Sequence, residues 1–162
     1  MMKFAVGICL ALVGTAYSQG LQEVSNYGTT KSGAKMFVYK PANLVPKPPL
    51  LVGVHYCSGN AQRYYNGSPY KALADQKGFL VVYPQASHNC WDVSSKESLV
   101  RDGGADPHSI AEMIKYAIKQ YGADASKVYV IGESSGGMMT VRLTRGLPSG
   151  RVPAPEGDWE TD

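Results

Sequence analysis

Gly132-Glu133-Ser134-Ser135-Gly136 is the stretch of this chain whose residue types and spacing most plainly suit chemistry. A serine hydroxyl between two glycines can attack a carbonyl carbon once a base takes its proton, which is the chemistry of acyl transfer. The glycines have a steric reason. A serine raised on a sharp strand-to-helix turn adopts strained backbone angles, and a Cβ at either flank would collide with neighbouring chain. Short Gly/Ser patterns also occur in ordinary loops, so the surroundings decide the meaning. Here Val128-Tyr129-Val130-Ile131 precedes the motif as an apolar β-type run, and residues 138–143 follow with a helical pattern. That context predicts a nucleophile elbow with Ser134 at its tip and the backbone N–H of Ser135 aimed at a developing oxyanion.

A serine nucleophile needs a histidine to accept its proton and a carboxylate to fix the imidazole tautomer. Around an elbow of this kind the chain order is serine, acid, histidine. Downstream of Ser134 the sequence holds Glu156, Asp158, Glu160 and Asp162 but no histidine; His55, His88 and His108 all precede it. His55 sits at a strand end and is expected to be structural. His88 and His108 are expected to be exposed, His108 in the first turn of a helix. The catalytic acid and histidine are therefore not found, and loss of the histidine from such a unit costs on the order of a millionfold in kcat.

The elements that must position Ser134 follow from periodicity. Residues 35–40 read as a short strand ended by Pro41, and Pro46, Pro48 and Pro49 make a stiff connection. Residues 50–55 (LLVGVH) and 79–83 (FLVVY) are continuous apolar runs, as expected of strands covered on both faces, the second ended by Pro84. Between them Ser68-Pro69 opens a helix with Ser68 as N-cap, and Gly78 stops it. Residues 85–105 read as a long polar loop. Asp106 caps the next helix, Pro107 takes its first position, Ile110, Met113, Ile114, Ala117 and Ile118 recur at helical spacing, and Gly122 ends it. Strands alternating with helices predict an α/β fold with a mostly parallel sheet and helices on both faces.

The start of the chain carries Lys3, an apolar run over residues 4–13 and small residues at 14–18, which reads as a secretory signal peptide cleaved after Ser18 or Ala16. About 144 residues then remain, enough for one domain. A net charge of +3 without a basic cluster argues against nucleic acid as a partner, and no later run is long enough to span a membrane. In an oxidising compartment Cys57 and Cys90 are expected to pair, two separate buried thiols being the alternative. Residues 145–162, rich in Pro, Gly and charge with little apolar periodicity, are expected to be disordered.

Several longer segments carry a resemblance: VGVHYCSGNAQRYYNGSPY (52–70), LADQKGFLVVYPQ (73–85), CWDVSSKESL (90–99) and DGGADPHSIAEMIKYAIKQYGADASKVYVIGESSGGMMT (102–140). Together they resemble fungal secreted acetylxylan esterases, α/β-hydrolases grouped with feruloyl esterases and polyhydroxybutyrate depolymerases. The resemblance implies an extracellular serine esterase that acts on acetylated xylan in plant cell walls, with no metal and no organic cofactor; the chain itself is expected to be a monomer. It places Ser134 on the nucleophile and the backbone N–H groups of Cys57 and Ser135 in the oxyanion hole. Tyr56 stands where related esterases commonly have glycine. Tyr64, Tyr65 and Trp91 are candidates for an aromatic surface that stacks on sugar rings, and Asn66-Gly67-Ser68 is an N-glycosylation acceptor.

The resemblance stops near Thr140 and an unlike polar tail begins, the pattern left by a shifted reading frame, a retained intron or an alternative transcript. Residues 1–18 are thus expected to be a signal peptide, 19–144 the N-terminal part of an α/β-hydrolase-type domain incomplete at its C-terminal side, and 145–162 a tail outside the family. Such a chain would be an incomplete hydrolase with little turnover, and its sheet would end at the elbow strand with an unpaired apolar edge. Feruloyl esterase is the closest rival activity. A non-catalytic secreted carbohydrate-binding fragment is the alternative from another class.

Overall fold

The computed structural model describes residues 20–100 and 105–144. The expected signal peptide, the expected disordered tail and Asp102-Gly103-Gly104 lie outside the described residues. The elements run β1 (Gln22–Val24), β2 (Lys35–Tyr39), β3 (Leu50–Val54), α1 (Ala61–Gly67), α2 (Tyr70–Lys77), β4 (Leu80–Gln85), α3 (Lys96–Leu99), α4 (Asp106–Tyr121), β5 (Val128–Gly132) and α5 (Ser135–Thr144).

The strands form one sheet in the order β1-β2-β4-β3-β5. β3 pairs in parallel with β4 and β5, whereas β2 runs antiparallel to both β4 and β1. The sheet is therefore mixed, and its parallel part is the limb β4-β3-β5. The cause is the connection: the proline-rich link between β2 and β3 holds no crossover helix, while helices separate β3 from β4 and β4 from β5. β3 lies between its two successors, so the chain reverses its winding there, and loops that leave the carboxyl ends of β3, β4 and β5 meet at one edge of the sheet.

Alternation along the strands builds two cores. Leu80 and Val82 of β4 face the same side as Met36, Val38, Leu50, Val52 and Val54, where Ile110, Met113, Ile114 and Ala117 of α4 and Met139 of α5 cover them. Val81, Tyr83 and Tyr39 face the other side and meet Ala61, Tyr64, Tyr65 and Ala74 of α1 and α2. Coverage of both faces explains the unbroken apolar runs.

Several local expectations change. Ser68 is not the N-cap of α2 but the C-cap of α1, its N–H donating to Tyr64 O, and α2 begins after Pro69 without a side-chain cap. α1 itself escaped the periodicity reading, although Asn60 is a proper N-cap whose Oδ1 accepts from Arg63 N–H at 2.8 Å. β4 continues through Pro84 to Gln85. Leu80 N–H donates to Pro49 O, so even-numbered residues of β4 aim their N–H toward β3. Pro84 falls on that side, and the β3 ladder stops at Val82 while the β2 ladder runs on to Gln85. The long polar loop contains the short helix α3, capped by Ser95. Ala105, rather than Asp106, is the N-cap of α4; Asp106 is buried in its first turn and accepts from Asp92 N–H at 2.8 Å. Gly78 and Gly122 end their helices in the left-handed conformation, as expected.

Candidate active site

The elbow begins where β5 ends. Ser134 has φ +52°, in the left-handed region that disfavours side chains, and α5 starts at the next residue. A Cβ on Gly132 would lie 2.3 Å from the carbonyl carbon and oxygen of Gly136, and one on Gly136 would lie 2.2 Å from Val54 O and 2.6 Å from His55 O. Both flanking positions exclude any side chain, so the first turn of α5 seats directly on the carboxyl end of β3. Gly136 N–H donates to Glu133 O at 2.8 Å and Met138 N–H to Ser134 O at 3.1 Å. Ser134 stands exposed at the tip, while Ser135 beside it is buried.

Val54 pairs with Gly132, so the chain leaving β3 runs next to the elbow. It forms a turn, Tyr56-Cys57-Ser58-Gly59, closed by Gly59 N–H donating to Tyr56 O at 3.0 Å, with Ser58 at φ +62°. Four contacts hold this turn. Ser58 N–H donates to Asn89 O at 2.7 Å, Ser58 Oγ donates to Asn89 Oδ1 at 2.9 Å, and Arg63 Nη1 donates to Ser58 O at 3.0 Å. The fourth is the disulfide between Cys57 and Cys90, which joins the loop after β3 to the loop after β4. Neither Cys57 N–H nor Ser135 N–H donates to another group among the described residues.

His55 is bound at both ring nitrogens. Ala86 N–H donates to Nε2 at 3.1 Å, which leaves the proton on Nδ1, and Nδ1 donates to Tyr56 O at 2.7 Å. Burial lowers its pKa below the ordinary imidazole value, so the ring stays neutral. Trp91 packs against it at 5.0 Å between centroids and donates its indole N–H to His55 O at 2.8 Å. His55 thus ties the ends of β3 and β4 together, the structural role expected of it. His88 is exposed and bonds Ser87 Oγ; His108 is half-buried in the first turn of α4. None of the three bonds Ser134 Oγ among the described contacts.

The proposed sugar-stacking surface is corrected by burial: Tyr64 is 7% exposed, Tyr65 9% and Trp91 3%. Their rings are core. Gly53 supplies the reason for Tyr64, since the space its Cβ would fill is taken by the rings of Tyr64 and Tyr83 at 3.2–3.3 Å. Tyr65 packs edge-on to Tyr83 at 5.6 Å and tilted against Tyr39 at 5.4 Å. Asn66 is exposed in the last turn of α1, where its Oδ1 accepts from Gln62 Nε2.

Sequence reasoning missed Ser58, Asn89 and Arg63, the residues that hold the turn after β3. No local signal marks them, because the contacts join segments far apart in the chain. It also missed a polar cleft of about 430 Å³ lined by Lys31, Ser32, His88, Asp92, Ser95 and Asp106 among others. Burial would raise the Asp92 carboxyl there, but hydrogen bonds from the Ser95 hydroxyl and the Ser95 and Ser94 N–H groups outweigh it and hold the pKa below the usual value. Ser134 does not line this cleft.

Residues 34–154 match the family described as esterase PHB depolymerase. The chain is 54% identical over 125 residues to the probable acetylxylan esterase A of Neosartorya fischeri, which covers 76% of this chain and 34% of that protein. It is 51% identical over 122 residues to acetylxylan esterase A of Talaromyces purpureogenus, covering 74% of this chain and 32% of that one. Among solved structures, the acetyl xylan esterase from Aspergillus awamori superimposes with a TM-score of 0.76 at 44% identity, over 78% of this chain and 47% of that chain. The poly(3-hydroxybutyrate) depolymerase LpqC from Bordetella parapertussis shares the fold, with a TM-score of 0.64 at 23% identity over 81% of this chain and 48% of that one. The chain thus spans about a third of the length of these curated relatives and under half of these solved ones. With the strand–elbow–helix unit, the parallel limb of the sheet and a match over residues 34–154, the chain belongs to the esterase PHB depolymerase family.

Proposed function

We propose that this chain carries the nucleophile half of a secreted serine carboxylic ester hydrolase that removes acetyl groups from acetylated xylan. The observation that carries the reading is Ser134 in a left-handed turn between two glycines that tolerate no Cβ. In this reading Ser134 attacks the acetyl carbonyl, and the N–H groups of Ser135 and Cys57 receive the oxyanion, donors of this type being worth about 3 kcal/mol of barrier each. The acetyl preference is supported by relatives named acetylxylan esterases at about half identity. Export is supported by the Cys57–Cys90 disulfide, a bond that persists in oxidising compartments, and glycosylation at Asn66 by the exposure of that side chain.

No described histidine is placed as the base, so turnover by these residues alone is expected to be small. Added imidazole can accept the proton in place of the absent side chain. The test is hydrolysis of p-nitrophenyl acetate with and without imidazole, by the chain and by Ser134→Ala. A Ser134-dependent increment that appears with imidazole supports the reading; identical rates for the two proteins sink it. A fast Ser134-dependent rate without imidazole would overturn the expectation of low turnover. Rates on acetylated xylan against methyl ferulate then separate acetyl from feruloyl preference. The carbohydrate-binding alternative loses its carrier, because Tyr64, Tyr65 and Trp91 are buried.

A further inference from the structure

Ser58 occupies the third position of the turn that Gly59 N–H and Tyr56 O close, and its φ is +62°. Glycine or asparagine holds such a position at little cost, whereas a Cβ in the left-handed region is disfavoured. The conformation must therefore be held from outside the turn, and residues 89 and 90 after β4 hold it. Ser58 N–H donates to Asn89 O at 2.7 Å, and Ser58 Oγ donates to Asn89 Oδ1 at 2.9 Å. Asn89 Nδ2 lies 3.9 Å from Cys90 Sγ, so the side-chain amide turns its oxygen toward Ser58. The Cys57–Cys90 disulfide limits how far the two loops separate, but a tether at one residue does not set the torsion of the next. The two bonds to Asn89 act on Ser58 itself.

We propose that Asn89 is a positioning residue for ester hydrolysis: by holding Ser58 left-handed, it keeps Cys57 N–H aimed at the oxyanion. The inference rests on the reading that Ser134 attacks the ester and that Cys57 N–H receives the charge. Relaxation of Ser58 to a negative φ turns over the peptide plane that joins it to Cys57, and the Cys57 backbone moves with it. Asn89 thus acts through Ser58 and not through contact with the ester. An oxyanion donor serves the transition state more than the bound ester, so loss of its aim lowers kcat and leaves KM in place.

Ser134-dependent hydrolysis of p-nitrophenyl acetate at a fixed imidazole concentration tests the proposal, with circular dichroism confirming that each variant is folded. Asn89→Ala and Ser58→Ala remove the same hydroxyl-to-amide bond, so each should lower kcat about fivefold, the worth of one net hydrogen bond, with KM unchanged. Combining them should lower it no further, since both break one interaction. Adding Ser58→Gly to Asn89→Ala should restore kcat, because glycine takes a positive φ without support. A second readout needs no catalysis. Protection of amide 58 from hydrogen exchange, conferred by its bond to Asn89 O, should fall in Asn89→Ala and return when Ser58→Gly is added. Full kcat in Asn89→Ala overturns the proposal. A loss that Ser58→Gly fails to recover overturns it too, because Asn89 would then support the fold without acting through Ser58. If the unsubstituted chain shows no Ser134-dependent rate, the hydrolase reading fails and the role in hydrolysis falls with it. Exchange at amide 58 then decides separately whether Asn89 holds Ser58, and unchanged protection in Asn89→Ala shows that it does not.

Discussion

The elbow after β5 and the turn after β3 lie side by side at one end of the sheet, and each holds a backbone amide that bonds no other group among the described residues. The elbow is held by exclusion. Gly132 and Gly136 lack side chains because Gly136 and Val54 backbone atoms occupy the space. The turn after β3 is held by bonds that reach elsewhere: the disulfide to Cys90, two hydrogen bonds to Asn89 and one from Arg63. Steric exclusion acts within the elbow at Gly132 and against the carboxyl end of β3 at Gly136, and it tolerates nothing. Cross-links act across about thirty residues of chain and fail in increments. A site that must present two amides together thus depends on one rigid support and one adjustable one.

The largest test of this contrast is Gly136→Ala, which drives a Cβ to 2.2 Å from Val54 O. It should cost at least about 4 kcal/mol or prevent folding. Urea unfolding decides it, and a cost under about 1 kcal/mol would remove the exclusion argument. Removing the disulfide with Cys57→Ser and Cys90→Ser together should cost about 3 kcal/mol yet leave a folded chain. Total collapse of that variant would mean that the turn is as unforgiving as the elbow. Asn89→Ala, which strips one side-chain hydrogen bond from Ser58, should cost only about 1 kcal/mol.

A pH titration probes the histidine under both turns. His55 is held neutral by burial and has a folded pKa below its unfolded value near 6.5. Below that pH the unfolded chain takes up a proton that the folded one refuses, so stability is full above it and lost as pH falls toward the folded pKa. Comparison with His55→Gln isolates the effect; equal pH slopes between pH 7 and 5 would show that His55 does not contribute. The smallest change is Ser134→Gly, which relieves the left-handed strain and should stabilise the fold by about 0.5–1 kcal/mol. Destabilisation by that substitution would mean that the elbow serine is not strained.

Strands β2 to β5, the two helices that end at Gly78 and Gly122, and the elbow were legible because each rests on local pattern: apolar runs, helical spacing, and glycines at helix ends where φ is positive. Short elements were not. α1 has seven residues, and its rings at Tyr64 and Tyr65 looked like surface until the fold set Tyr64 over Gly53 and both rings against Tyr83. Tyrosine alternates between surface and core because its ring is apolar and its hydroxyl is not, so type alone cannot place it. The Pro84 strand extension was hidden for a similar reason. Its missing N–H matters only on one side, and the sequence does not say which neighbour lies there.

By itself the sequence pointed to the elbow, since the spacing of Gly132, Ser134 and Gly136 after an apolar run is local, although the atoms that exclude a side chain at Gly136 belong to β3. It also pointed to the pairing of Cys57 with Cys90 and to the α/β order of elements. Tertiary structure alone decided that β2 runs antiparallel, that His55 spends both ring nitrogens on backbone groups, and that Asn89 and Arg63 hold the turn that presents Cys57 N–H. These facts depend on which segments become neighbours across the sheet, and such contacts leave no periodicity in the chain for a reader to find.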